Sequence, residues 1–267
     1  MNKISSPNNS KIKYLNKLYR SRTRKKEGCF VLEGKRLIEA AAAGGADFEE
    51  IFVTPAFFQQ KENKNLLDML QKKAVLNIVD EYIFNQSADT VNPQGIMTVV
   101  NEAEYDESSF LKNGKRILML DRIQDPGNMG TIIRTAAASG FDGIIAAKGS
   151  VDIYNQKVLR ATMGAIFSLP IWQKVSRKKI INILKSKTDE FEIIATDLNT
   201  EEYYFQHSYG DKVIVLIGNE ANGLDENYLE LASAEVKIPL AAGIESLNAA
   251  VAAAILCYEI AKNDYII

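Results

Sequence analysis

The chain has 267 residues, enough for two domains of ordinary size. Its 32 Lys and Arg against 34 Asp and Glu give a net charge of −2, which argues against a uniformly basic, histone-like nucleic-acid coat. Hydrophobic residues at 46% and charged residues at 25% are typical of a soluble globular enzyme, and no apolar run approaches the ~20 residues that cross a bilayer.

The first predicted element is a basic helix or arm over residues 1–28. Residues 1–36 hold eleven Lys and Arg against two Asp and Glu, so this segment carries +9 although the whole chain carries −2. Such asymmetry is typical of an arm that binds a polyanion, and equally of a solvated, partly disordered terminus. The first residues lack the apolar core of a secretory signal, so we expect a protein that is not exported.

Strands and helices alternate through the rest of the first half. The predicted strands are 29–32, 50–53, 75–79 and 96–100, and the predicted helices are 33–43 and 65–73. A glycine pair at 44–45 ends the first of these helices. Residues 101–115 are polar, acidic and weakly periodic, which indicates a linker and a domain boundary near residue 105.

The second half alternates more strongly. Its predicted strands are 117–121, 144–147, 168–173, 191–196, 213–217 and 235–238, and its predicted helices are 129–139, 178–186 and 247–262. This alternation predicts a mostly parallel sheet covered by helices on both faces. Ligands of such sheets bind outside the carboxyl ends of the strands, so the loops at those ends are the candidate site.

Cysteine and histidine usage limits the chemistry. Cys29 and Cys257 lie far apart and form no disulfide framework, which favours a reducing cytoplasm. His207 is the single histidine, so neither a zinc site nor a His-based triad is expected, and we interpret His207 as a loop residue. The chain has no P-loop and no G-x-G-x-x-G, which argues against a nucleotide-binding dehydrogenase.

The first informative loop is residues 121–135 (DRIQDPGNMGTIIRT). An Asp-Pro-Gly turn leads into a helix that Asn128 could cap. Arg134 lies six residues further on and need not be buried with Ile132 and Ile133. From these residues alone, Asn128 and Arg134 are either a plain cap and a surface charge or members of a site.

Two further loops follow apolar strands. In residues 216–224 (LIGNEANGL), two glycines and two asparagines would let the backbone approach a ligand such as an adenine edge, although any tight turn needs the same residues. Glu220 there is either a helix-start carboxylate or a site acid. In residues 236–249 (VKIPLAAGIESLNA), Ser246 is the expected cap of the last helix, whose alanines allow another helix, intramolecular or from a second copy, to pack closely.

Three sequence blocks occur in order near the end of the chain: NMGTIIRTA, IGNEANGL and IPLAAGIESLNAAVAAAILCYE. Together they closely resemble the three motifs of the SpoU family of the SPOUT superfamily, AdoMet-dependent RNA ribose 2′-O-methyltransferases. Residues 155–157 (NQK) and 160–165 (RATMGA) resemble a further block of the rRNA-methylating members. Residues 33–45 and 92–100 resemble the substrate-binding domain that precedes many such catalytic domains.

The resemblance implies an α/β protein of two domains. Residues 106–267 would form the catalytic domain, a parallel sheet whose C-terminal segment is threaded into a trefoil knot that forms the AdoMet pocket. Two such domains would pair as a homodimer. Residues 1–105 would form a smaller, ribosomal-protein-like α/β domain that binds RNA. Knots are so rare that no general rule of chain topology predicts one.

The resemblance also assigns site residues, position by position. Arg134 matches the catalytic arginine, Asn128 the asparagine that supports the active site, Ser246 and Asn248 the polar pair of the third motif, and Glu220 an acidic position. The residues that would hold AdoMet are Thr196, Ile217, Gly218, Asn219, Ile238 and Leu247.

The implied reaction is attack of a ribose 2′-OH on the sulfonium methyl of AdoMet, which needs no metal because the charge on sulfur is neutralised as the methyl leaves. A guanidinium with a pKa above ~12 is a poor base, so we favour Arg134 as a clamp on a phosphate or on the developing alkoxide. The competing hypothesis makes Arg134 the base.

The separate N-terminal domain favours rRNA, of the 23S type, over tRNA as the substrate. The alternative from another functional class is a non-catalytic RNA-binding assembly factor. We expect no membrane partner and a cytoplasmic location.

Overall fold

The computed structural model describes residues 1–105, 107–112, 114–219 and 222–264. The chain divides into two compact units. The first unit comprises Met1–Ala103 and Tyr154–Phe167, and the second comprises Glu104–Ile153 and Ser168–Ile267. The change of unit after Ala103 lies two residues before the boundary predicted at residue 105.

In the described part of the chain, the strands are β1 (Asn2–Ile4), β2 (Cys29–Glu33), β3 (Phe48–Val53), β4 (Val75–Val79), β5 (Ile96–Asn101), β6 (Arg116–Leu120), β7 (Gly143–Ala147), β8 (Ile171–Val175), β9 (Glu192–Thr196), β10 (Val213–Ile217) and β11 (Ala234–Val236). The α-helices are α1 (Ser10–Leu18), α2 (Ser21–Glu27), α3 (Lys35–Ala43), α4 (Pro55–Gln59), α5 (Lys64–Gln71), α6 (Glu81–Ser87), α7 (Glu107–Lys112), α8 (Pro126–Ala138), α9 (Gln156–Thr162), α10 (Arg177–Lys187), α11 (Glu226–Leu229) and α12 (Ala249–Ala261).

The first unit is built on a five-stranded mixed sheet in the order β1-β4-β3-β5-β2. Strands β1, β4 and β3 are parallel, whereas β5 is antiparallel to both β3 and β2. Helix α1 buries Ile12, Leu15 and Leu18, which recur every three residues and therefore lie on one face of the helix. These side chains form one core with the sheet and with α6.

The basic N-terminal segment is folded rather than disordered. Residues 1–28 contain β1, α1 and α2, which agrees with the predicted basic helix and not with the alternative of a partly disordered terminus. The guanidinium of Arg24 is buried and donates hydrogen bonds to the carbonyls of Leu18 (3.0 Å) and Tyr19 (2.8 Å), which ties α2 to the end of α1. Most other cations of the segment are exposed.

The segment Tyr154–Phe167 belongs to the first unit, although the prediction placed it in the second domain. The ring of Tyr154 stacks on Phe30 with centroids 4.0 Å apart, and the amide of Gln156 donates to the buried carbonyl of Val31 at 2.8 Å. These contacts involve β2, which is remote in sequence, so local patterning could not reveal them. Which residues serve as the RNA-binding domain stays a prediction.

The second unit contains a fully parallel six-stranded sheet in the order β11-β9-β10-β6-β7-β8. All five residues of β10 and of β7 are buried, as expected for strands covered on both faces. The predicted parallel sheet is confirmed. Helix α10 packs on the core through Ile180, Ile183 and Leu184, and Trp172 is partly buried against the same core. No helix within the described residues is both long and apolar enough to span a membrane.

Two expected helix caps are wrong. Helix α8 begins at Pro126, and its cap is Asp125, whose Oδ1 accepts from the backbone N–H of Asn128 at 2.8 Å. Proline favours the first helical position because it has no N–H to satisfy and its φ is already helical, so the helix starts earlier than predicted. Helix α12 is capped by Asn248, whose Oδ1 accepts from Ala250 and Val251, and Ser246 lies outside the helix.

Candidate functional site

The candidate site is a cavity at the carboxyl ends of three neighbouring parallel strands. Thr196, Ile217 and Val236, the last residues of β9, β10 and β11, line a cavity of about 370 Å³. The loops that follow these strands and the start of α12 supply the remaining lining residues: Asp197, Leu198, Gly218, Asn219, Gly223, Lys237, Ile238, Leu240, Glu245, Ser246, Leu247, Ala249 and Ala252. All six residues expected to hold AdoMet therefore lie on one cavity, together with Ser246.

The loop after β10 closes tightly upon itself. The backbones of Asn219 and Gly223 exchange two hydrogen bonds, of 3.0 and 2.9 Å. A Cβ on Gly218 would lie 2.5 Å from the carbonyl carbon of Gly223 and 2.6 Å from the nitrogen of Leu224. Backbone atoms cannot yield as a flexible side chain can, so this close approach requires glycine. Glu220 lies outside the described residues, and its predicted role stays a prediction.

The same loop is attached to the loop after β6. The side-chain amide of Asn219 donates to the carbonyl of Arg122 at 2.9 Å. Arg122 in turn donates from Nε and Nη2 to both carboxylate oxygens of Asp121, at 2.9 and 2.7 Å. Asp121 is only 2% exposed, so this bidentate pair neutralises a buried charge and raises the pKa of Arg122. The loops after β6 and β10 are thereby held together.

Helices α8 and α12 meet through two of the predicted polar residues. The amide of Asn248 donates to Oδ1 of Asn128 at 2.8 Å, while Oδ1 of Asn248 accepts from the start of α12. Arg134 is exposed on α8 and makes no hydrogen bond or ion pair with the residues that the structure describes. The structure thus brings Asn128 and Asn248 together and leaves the guanidinium of Arg134 accessible to an external anion.

The cavity combines apolar walls with backbone donors. Its apolar lining comes largely from leucine, isoleucine and alanine side chains. Among the described residues, none accepts a hydrogen bond from the backbone N–H of Gly218, Ile238 or Leu247. Two carboxylates, Asp197 and Glu245, also line the cavity. The arrangement suits a ligand with a flat, polar-edged ring and a cationic part.

Sequence reasoning missed several lining residues. Asp197 and Leu198 follow β9 directly, Leu240 and Glu245 follow β11, and Leu198 is 52% exposed. Their positions just after predicted strands were the signal available in the sequence, because ligands of parallel sheets bind there. Lys237 also lines the cavity, and its Nζ lies 5.2 Å from the centre of the Tyr203 ring.

His207 lies away from the lining residues of the cavity. Its Nδ1 and Nε2 lie 2.9 Å from Oε1 of Glu202 and 2.8 Å from Oε1 of Glu192. Burial alone would lower the pKa of the imidazole, but the hydrogen bonds to the two carboxylates outweigh burial and raise the pKa above 6.5. His207 therefore connects Glu192, at the start of β9, with Glu202 in the segment between β9 and β10.

Two family models match the chain. The model described as the SpoU rRNA Methylase family matches residues 115–258, and the model described as the MRM3-like substrate binding domain matches residues 9–98. The chain is 32% identical over 260 residues to the 23S rRNA (guanosine(2553)-2'-O)-methyltransferase RlmP of Bacillus subtilis, covering 97% of this chain and 99% of that protein. It is 35% identical over 263 residues to an uncharacterized tRNA/rRNA methyltransferase of Synechocystis, covering 98% and 94%.

Solved structures resemble the chain over nearly its whole length. An AdoMet-bound rRNA methyltransferase from Sinorhizobium meliloti is similar with a TM-score of 0.89 at 26% identity, covering 99% of this chain and 98% of that chain. The SpoU methyltransferase AviRb from Streptomyces viridochromogenes, in complex with AdoMet, is similar with a TM-score of 0.87 at 25% identity, covering 97% and 99%.

Proposed function

The chain belongs to the SpoU rRNA methylase family, and we propose that it transfers a methyl group from AdoMet to a ribose 2′-OH of ribosomal RNA. The observation that carries this proposal is the cavity of about 370 Å³ at the carboxyl ends of β9, β10 and β11. Six residues that the family resemblance assigned to AdoMet, scattered between Thr196 and Leu247, line that one cavity.

The residues present fit AdoMet. The cavity volume falls within the range of roughly 300–1,000 Å³ that is usual for small-molecule sites. The N–H groups of Gly218, Ile238 and Leu247, which have no acceptor among the described residues, would bind the edge of the adenine, and the apolar side chains would hold its faces. Asp197 and Glu245 would attract the cationic end. When bound, AdoMet supplies an electrophilic methyl group that a hydroxyl oxygen can take.

In the proposed mechanism, Arg134 holds an anionic oxygen of the RNA. Its guanidinium is exposed and unpaired among the described residues, so it would donate to a phosphate or to the oxygen on which negative charge develops. The hydroxyl proton would then leave to water or phosphate, because a guanidinium seldom accepts a proton. Asn248 would position Asn128 through their 2.8 Å hydrogen bond. The competing proposal, in which Arg134 itself is the base, is tested below.

The proposed RNA class is ribosomal, of the 23S type. RlmP, which the chain matches over 97% of its length, is named as a 23S rRNA methyltransferase. The first unit supports an RNA substrate in general, because its cationic N-terminal segment would bind phosphates. The unit also contains a cavity of about 480 Å³ with Arg36 and Arg160 in its lining.

The substrate class is tested by incubating the protein and tritiated AdoMet with unmodified 23S rRNA, 16S rRNA or tRNA. Labelling of 23S rRNA supports the proposal, and exclusive labelling of tRNA contradicts it. Calorimetric titration with AdoMet tests the alternative of a non-catalytic assembly factor, because a folded protein that binds no AdoMet would favour that alternative.

We further propose a homodimer formed through the catalytic domain. Val251 and Tyr258 lie seven residues apart on one face of α12 and are 47% and 50% exposed, in a helix whose only charged residue is Glu259. A second copy of the chain would cover this face. The similarity to SpoU structures supports a knotted C-terminal segment, and the absence of a disulfide in the described residues accords with the proposed cytoplasmic location.

A further inference from the structure

The sheet edge that holds the cavity continues as a basic surface. Beyond β10, the carboxyl ends of β6, β7 and β8 lie side by side on the same edge, since all six strands are parallel. Arg122 follows β6, Lys148 follows β7, and Lys174 lies near the end of β8, with Arg177 and Lys178 at the start of α10. We name these five residues the basic edge. The last four are exposed and Arg122 is partly exposed.

Two members of the basic edge have an unusual backbone conformation. Arg122 has φ 53° and Lys174 has φ 60°, in the left-handed region that side-chain-bearing residues seldom occupy. Lys174 lies in a β-bulge. Between the pairs Ile145–Trp172 and Ala147–Val175, β8 has two residues and β7 has one. Bulges next to functional sites redirect side chains, and strained conformations are retained where function needs them. Glycine would adopt these φ values with less strain, yet this chain has a cationic side chain at both positions.

The start of α10 carries positive charge where a helix disfavours it. Ser176 caps the helix, and its first turn contains Arg177, Lys178 and Lys179 but no acidic residue. The positive end of the helix dipole lies there, so three cations oppose it. Lys179 lies over the Trp172 ring at 5.9 Å, whereas Lys178 is exposed. An anionic partner would remove this repulsion.

Acidic residues close to the basic edge are already engaged. Asp121 binds Arg122, Asp125 caps α8, and Asp225 pairs with Arg177. The 2.7 Å hydrogen bond from the backbone N–H of Lys148 to the carbonyl of Val175 keeps the loop after β7 beside the end of β8. The five cations therefore lie at the carboxyl ends of three adjacent strands next to those that hold the cavity, and two of them, Arg122 and Arg177, are paired with carboxylates.

We propose that the basic edge binds the phosphate backbone of the RNA next to the nucleotide that enters the cavity. This inference rests on the proposed function, because it assigns the path of the same substrate. Lysine and arginine contacts to phosphates position an RNA without reading its sequence. The basic edge thus contributes affinity for RNA and its salt dependence, and residues outside the basic edge select the nucleotide.

The sharpest single variant is Lys174→Gly. Glycine adopts φ 60° without strain, so the variant keeps or raises the unfolding temperature, and it removes one cation. The combined variant K148A/K174G/K178A removes three cations of the basic edge. The matched control is Lys185→Ala, an exposed lysine at the other end of the same helix.

Binding is measured by filter retention at several KCl concentrations, with an unmodified Bacillus subtilis 23S rRNA transcript and a 20-nucleotide oligouridylate as probes. For oligouridylate, each lost contact lowers the slope of log affinity against log salt by about 0.7, so the combined variant loses about two units of slope. We expect its affinity for both probes to fall about tenfold at 0.1 M salt, while AdoMet affinity and the unfolding temperature match those of the wild type.

Unchanged RNA affinity and slope in the combined variant, or an equal loss in Lys185→Ala, would overturn the proposal. Failure of the proposed function gives a different result. If the wild-type protein methylates no rRNA but the combined variant still loses RNA affinity and slope, the basic edge stands as an RNA surface and the proposed reaction does not. If rRNA is methylated and the combined variant binds it like the wild type, the reaction stands and the basic edge fails.

Discussion

Replacing Gly218 with alanine tests the structural basis of cofactor binding. The added Cβ would lie 2.5 Å from the carbonyl carbon of Gly223 and 2.6 Å from the nitrogen of Leu224, about 0.9 Å short of ordinary contact at 3.4 Å. Relief requires a backbone shift in the loop that Asn219 and Gly223 close with their two hydrogen bonds. Overpacking of this kind costs about 1–3 kcal/mol.

If that cost falls on the bound state, the AdoMet dissociation constant rises roughly 5- to 140-fold, since each 1.4 kcal/mol is a factor of ten. Calorimetric titration measures the affinity, and thermal unfolding measures any part of the cost that the free protein bears. Gly210→Ala is the matched control in the same unit, because its Cβ would meet no backbone atom and only the side chain of Glu192, with Oε2 at 3.3 Å and Cβ at 3.9 Å. A Gly218→Ala protein with wild-type AdoMet affinity and unfolding temperature would refute the reasoning.

Four further predictions concern single side chains. Arg134→Ala lowers kcat by about a hundredfold or more, while Arg134→Lys keeps measurable activity, both with unchanged AdoMet affinity by calorimetry. Asn248→Ala removes the cap of α12 and lowers the free energy of unfolding by about 1 kcal/mol in urea titration. Because hydrogen bonds to two carboxylates outweigh burial and raise the pKa of folded His207 above 6.5, its contribution to stability is present at low pH and is lost as pH rises through that raised pKa. The unfolding free energies of the wild type and His207→Gln therefore converge as pH rises. Val251→Asp places a charge on the exposed face of α12 and, if the proposed homodimer forms through this face, converts it to monomers in light scattering.

Each of these predictions has a contrary outcome. If Arg134→Lys is as inactive as Arg134→Ala, a simple cation is insufficient and either bidentate geometry or base chemistry is required. Asn248→Ala with undiminished stability would mean that its two cap bonds contribute nothing net. A wild-type advantage over His207→Gln that grows above pH 6.5 would contradict the raised pKa. A dimeric Val251→Asp protein would place the interface elsewhere.

The sequence pattern predicted best those strands that are short runs of mainly apolar residues. The strands at 75–79 and 213–217 begin and end where predicted: the second is a run of five apolar residues, and the first has four apolar residues around Asn77. Helix starts were less predictable. Residue type alone does not distinguish Ser246 from Asn248 as the cap of α12. In the structure, Asn248 caps the helix and Ser246 lines the cavity.

Long-range packing lay beyond local patterning. Helix α9 was not predicted, and the segment that carries it joins the first unit through contacts of Tyr154 and Gln156 with β2, which is over 120 residues away in the chain. The candidate site was predictable as a place, since ligands bind at the carboxyl ends of parallel strands. Its residue roles came from the resemblance of three ordered blocks, because neither spacing nor composition singles out Arg134 from other surface arginines.

The central claim is that the chain methylates a ribose 2′-OH of rRNA. It is tested most directly by incubating the protein with AdoMet and unmodified 23S rRNA and digesting the RNA to nucleosides for mass spectrometry, with Arg134→Ala as the inactive control. The account predicts a 2′-O-methylnucleoside that appears with the wild type and not with Arg134→Ala. A methylated base in place of a methylated ribose, or the same product from both proteins, would contradict it.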